Sequence, residues 1–146
     1  MISVERVIDT TPQRVWDVLA DGWLYPLWVV GASRMREVDN SWPSPGSKLH
    51  HSVGAWPLLI DDDTEVTESV PLRLLAMRAK AWPLLGEAPV VLRLTEQGAG
   101  THVVMEEDVA TGPGKVVPMP VRAPGIKWRN TEALRRLAFI AERRGA

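Results

Sequence analysis

The spacing of apolar positions along the chain changes period twice. Over residues 2–9, Ile2, Val4 and Ile8 alternate with Ser3, Glu5 and Asp9, the period of two that a half-buried strand requires. A helical pattern follows. Thr11 can cap a helix that opens on Pro12, buries Val15, Trp16, Val18 and Leu19, and ends with Gly22 as the residue beyond its C-terminus. The aromatic run at 23–30 predicts a second short helix, limited to a turn or two by Pro26. From residue 33 the strand period returns, in segments 33–38, 48–53, 58–69, 72–81, 88–96 and 101–110, separated by turns rich in Gly and Pro. The chain closes on 126–144. There Ile126, Ala133, Leu134, Leu137, Ala138 and Ala141 recur at helical spacing, with arginines mostly between them. A helix over that range would be roughly 28 Å long, enough to cross a small sheet. Pro118, Pro120 and Pro124 crowd the approach to it, which reads as either a loop or a kinked helical turn. The elements predict an α+β fold: a curved antiparallel sheet of six or seven strands around one long C-terminal helix, with two short helices after the first strand. Residues 1–146 are expected to form a single domain.

Alternation within the strands says what faces that helix. Leu49, His51 and Val53 share one face of their strand, and Leu75, Met77 and Ala79 share one face of theirs. Val90, Leu92 and Leu94 do the same, as do Val103, Met105, Glu107 and Val109. The interior is therefore aliphatic, with His51 and Glu107 carried into it.

Composition removes several function classes. The 146 residues are 45% hydrophobic and 24% charged with a net charge of −1, which leaves no basic footprint for nucleic acid. There is no cysteine, hence no disulfide, thiolate metal site or cysteine nucleophile. No apolar run is long enough for a membrane span, and the N-terminus is strand-like rather than a secretion signal, so a cytoplasmic location is expected. Seven Trp against one Tyr and one Phe is an unusual aromatic balance, and it suggests rings lining a pocket as well as filling a core.

Three stretches resemble a known superfamily: TTPQRVWDVLADGWLYPLWVVG near the N-terminus, GTHVVMEEDVATGPG in the last hairpin, and RNTEALRRLAFIAERR at the end. The most characteristic step is Pro12-x-x-Val15-Trp16-x-Val18-Leu19-x-Asp21. Together they are similar to the START-related, polyketide cyclase/dehydrase-like (SRPBCC) superfamily, which also includes lipid-transfer domains. The resemblance implies a helix-grip fold with a hydrophobic cavity between sheet and helix. Some relatives cyclise or dehydrate polyketide intermediates and many only bind or carry a ligand.

The residues offer candidates for such a site. An inward Glu107 is either an acid–base group or the partner of an arginine such as Arg129 or Arg122. His51 is a second acid–base candidate. Asn130 interrupts the small-residue stripe of the last helix, where it either anchors a ligand oxygen or satisfies a strand group. Trp23, Tyr25, Trp28 and Trp128 are candidate pocket walls, joined by Met77 and Met105. His51 can also approach Asp61 or Asp62 across a hairpin, but His50 and His51 point to opposite faces, so neither a metal nor another cofactor is expected. No Ser–His–Asp order or phosphate-binding loop is present. The preferred reading is binding of a small hydrophobic, aromatic or amphipathic molecule. A cyclase/dehydrase-type enzyme using Glu107 and His51, and a partner-dependent module whose cavity is vestigial, stand as alternatives.

Overall fold

A computed structural model describes residues 2–30, 32–53, 60–81, 86–107 and 118–144. Strand β1 (Ile2–Ile8) is followed by helix α1 (Pro12–Ala20), a 3-10 turn at Gly22–Leu24 and the short helix α2 (Tyr25–Trp28). Six strands come next: β2 (Ala32–Val38), β3 (Lys48–Val53), β4 (Ile60–Val70), β5 (Leu74–Ala81), β6 (Gly86–Gln97) and β7 (Gly100–Glu107). Helix α3 (Met119–Arg144) ends the fold.

The sheet has seven antiparallel strands in the order β1-β7-β6-β5-β4-β3-β2. The two helices after β1 carry the chain to the far edge, and the meander from β2 brings it back to pair β7 with β1. Register shifts in β2 and in β4, between Val66 and Glu68, mark bulges, which bend strands and sharpen twist. The curved sheet grips α3, whose buried residues Asn130, Ala133, Leu134, Leu137, Ala138 and Ala141 form one stripe. Against it pack Val4, Ile8, Leu49, Leu75, Leu92, Val103 and Met105 from the sheet and Val15 and Leu19 from α1, in one apolar cluster.

Local chemistry explains the helical turns. The Thr11 hydroxyl accepts from the Arg14 N–H and Pro12 opens α1; Asp21 Oδ1 accepts from Trp23 N–H and starts the 3-10 turn. Gly22 has a reason other than the one expected. It does not adopt the left-handed conformation of a helix-ending glycine; instead a Cβ there would lie 2.5 Å from Leu49 Cδ2 and 2.8 Å from Val38 Cγ1. The turn sits directly on the sheet, and a side chain there would force Leu49 and Val38 to shift.

Helix α3 begins at Met119 rather than at 126, with Pro124 inside it. Pro120 falls in the first turn, where a missing N–H costs nothing; Pro124 withdraws one donor from the ladder, and the helix continues past it. The last strand is described to Glu107, so the expectation for Val109 lies outside the described residues, as does the 54–57 connection.

Candidate functional site

Polar side chains gather at one end of the space between sheet and α3. β3 presents His51, and β4, its neighbour, presents Thr64 two residues beyond Asp62, which stands directly opposite His51 in the register. His51 Nε2 lies 2.8 Å from Thr64 Oγ1, and the Tyr25 hydroxyl of α2 lies 3.4 Å from the same oxygen. The Tyr25 ring stacks on the imidazole at 5.5 Å between centroids and meets Trp28 edge-on at 5.4 Å. Tyr25, Trp28, His51 and Thr64 are all buried. The result is a hydroxyl–hydroxyl–imidazole chain backed by aromatic rings.

Glu107, at the end of β7, is buried and accepts a hydrogen bond from the Arg129 guanidinium of α3. Of the two readings open for Glu107, the arginine pair is the one the structure forms, and Arg129 is the partner. Next along α3, Asn130 turns into the interior and is buried. Met77 and Met105 supply apolar wall from β5 and β7. Asn130 Nδ2 and His51 Nδ1 are buried and have no hydrogen-bond partner among the described residues.

Burial sets the proton chemistry. It pulls the His51 imidazole below its ordinary range, against the opposing pull of Asp62 and Asp63, while Arg36 and His50 reinforce the shift. The ring is thus uncharged at neutral pH. Burial also pushes the Tyr25 hydroxyl up; the Thr64 hydrogen bond and Arg129 oppose the rise, and Glu107 and Asp62 add to it. In a neutral ring one nitrogen donates and the other accepts, so the tautomer depends on which way the Thr64 hydroxyl points. If Thr64 donates to Nε2, Nδ1 carries the proton and can donate; if Nε2 donates, Nδ1 accepts.

Tyr25, Trp28, His51, Met77, Met105, Glu107 and Asn130 are all buried, and for the last five the strand and helix patterns predicted an inward face. Trp23 and Trp128 do not. Trp23 is 58% exposed and Trp128 68% exposed. Trp23 follows the glycine that seats on the sheet and lies on its exposed side, and Trp128 lies off the buried stripe of α3. Thr64 was missed, although its alternation with Val66 on β4 is visible in the sequence; a lone threonine in a strand carries no chemical signal. His50 lies outside the cluster, 3.0 Å from Asp39. Among the described residues no three His, Asp or Glu side chains are grouped to hold a metal ion.

A family described as polyketide cyclase/dehydrase and lipid transport matches residues 1–142. The chain belongs to this family. No curated protein matches it. Among solved structures, a protein of Nitrosomonas europaea superposes with a TM-score of 0.74 at 16% identity, covering 98% of this chain and 94% of that one. The Zhui aromatase/cyclase of a Streptomyces species gives 0.71 at 17% identity, over 99% of this chain and 94% of the other. One further match is the di-domain aromatase/cyclase StfQ of the steffimycin biosynthetic pathway, at 0.74 and 10% identity. It covers 99% of this chain, which spans 51% of that longer protein. These likenesses establish the helix-grip fold; at such identities they carry no activity across. No helix among the described residues is long and apolar enough to cross a membrane.

Proposed function

We propose that this family member is a single ligand-binding domain that holds a small hydrophobic or aromatic molecule between the sheet and α3. The observation that carries the reading is that two buried atoms, His51 Nδ1 and Asn130 Nδ2, have no hydrogen-bond partner among the described residues. Buried polar atoms are nearly always hydrogen-bonded, and leaving one unmet costs about 1–3 kcal/mol. A ligand oxygen near both would satisfy them, while Tyr25, Trp28, Met77 and Met105 would cover its apolar body. Native mass spectrometry of freshly purified protein, followed by calorimetric titration with aromatic and fatty ligands, tests it. A co-purifying small molecule, or saturable binding weakened in Asn130→Leu, is expected. Absence of any saturable binding across the panel would overturn the reading.

One observation favours catalysis as a second reading. The Tyr25–Thr64–His51 chain leaves an uncharged imidazole facing the site, the form in which histidine accepts a proton. Glu107 is engaged by Arg129, so proton transfer would fall to His51 with Tyr25 and Thr64 setting its tautomer. Cyclisation or dehydration of a poly-ketone substrate that stops in His51→Asn, with ligand binding retained, would support it. Unchanged turnover in that variant would remove His51 from the chemistry.

A further inference from the structure

Buried sites select ligands by charge, because an ionised group taken out of water is costly unless a counter-charge meets it. The charged side chains around this cluster include Asp62, Asp63, Arg36, Glu107 and Arg129. Arg129 and Asn130 are neighbours on α3, so the Glu107–Arg129 pair lies beside the buried Asn130. The Glu107 side chain is 9% exposed and the Arg129 side chain 35% exposed, and the guanidinium donates to Glu107 Oε2. The arginine is therefore already matched. His51 brings no positive charge. The other groups around it are Asp63, His50 and Arg36, and Arg36 donates to the main-chain carbonyls of His51 and Asp62.

We propose that Glu107 is the specificity-determining residue for ligand charge: by holding Arg129 it bars carboxylates from the site. The site is then reserved for neutral molecules whose oxygen meets Asn130 Nδ2 and His51 Nδ1. This rests on the ligand-binding reading above. A fatty acid or aryl acid would bring its carboxylate to a site whose Arg129 guanidinium is already engaged by Glu107. A ketone or phenol of the same shape meets no such penalty. Glu107→Gln keeps the shape of the side chain and removes its charge. Arg129 is then left as a cation without its counter-ion, and the preference should turn toward acids.

Calorimetric titration of the full chain with acetylnaphthalene and with naphthoate at neutral pH tests this, since the two probes share a skeleton and differ in charge. Wild type should bind the ketone about tenfold or more tightly than the acid. Glu107→Gln should tighten naphthoate about tenfold or more and leave the ketone little changed. The double variant Glu107→Gln with Arg129→Gln removes both charges together and should abolish that gain. It also keeps the test open if the single variant fails to fold, as does the wild-type ranking, which needs no variant. Naphthoate binding wild type as tightly as the ketone would overturn the proposal while leaving the ligand reading intact. So would a folded Glu107→Gln with no gain for the acid. Failure of both probes with every form of the protein would instead overturn the ligand reading, and this proposal with it.

Discussion

Two halves of α3 face the same sheet and do different work. From Ala133 to Ala141 the buried stripe is purely apolar, closed by Ile8, Val15, Leu19 and Val103. Polar contacts at that end fasten the helix from outside: Asp9 N–H donates to Glu142 Oε2 at 2.8 Å, and Arg144 lies 3.7 Å from Asp21. One turn before Ala133 the helix face becomes polar, with Arg129 donating to Glu107 and Asn130 buried beside it. The apolar half gains from every buried methylene. The polar half holds two buried atoms without partners among the described residues, an arrangement that stability alone would not select. One helix thus carries the fold at its C-terminal end and the candidate chemistry near its middle.

The comparison breaks most readily at Leu137, which is fully buried in the apolar half. Leu137→Ala should cost about 2–5 kcal/mol in chemical denaturation. A loss under about half a kilocalorie would mean that this half does not carry the fold. In the polar half, Glu107→Gln should cost less, about 1–3 kcal/mol, because it strands an arginine that keeps partial access to water.

Acid should act on the polar half through His51. Its folded-state affinity for protons is lowered, so the unfolded chain binds the proton more readily. Stability should therefore be flat above the ordinary imidazole range and fall as pH drops through it toward the lowered folded value. Asp39 and Glu132, lowered by their partners, lose their contributions only further down, in the carboxylate range, Glu132 with a folded value of about 2. Melting curves at successive pH values should show a shallower early fall in His51→Gln; identical profiles would remove His51 as the cause.

Asn130→Leu sharpens the contrast. Exchanging a buried amide whose Nδ2 has no partner among the described residues for an apolar side chain of similar size should leave the melting temperature unchanged or higher while weakening ligand binding. A large destabilisation would show that Asn130 is structural. The smallest effect belongs to Glu106→Gln on the opposite face of β7, where the pair with Arg93 at 3.0 Å is solvent-accessible and worth about 0–1 kcal/mol.

The apolar half was legible before any coordinates, because its information is local. The spacing of Ala133, Leu134, Leu137, Ala138 and Ala141, and the alternation of Val103, Met105 and Glu107, are fixed by helix and strand geometry within a single segment. From such periods came the antiparallel sheet of six or seven strands around the last helix and the inward placement of Glu107, His51 and Asn130. The start of α3 was not legible, since three prolines argue against a helix that the surrounding fold nonetheless extends back to Met119. Nor was the composition of the polar cluster. Thr64 is one polar residue in a strand until β3 and β4 set it 2.8 Å from His51 Nε2, thirteen residues earlier in the chain. Which arginine meets Glu107, and which tryptophans turn outward, depended on how α3 and the Gly22 turn seat on the sheet. Periodicity assigns a side chain to a face; only packing between distant segments decides what it meets there.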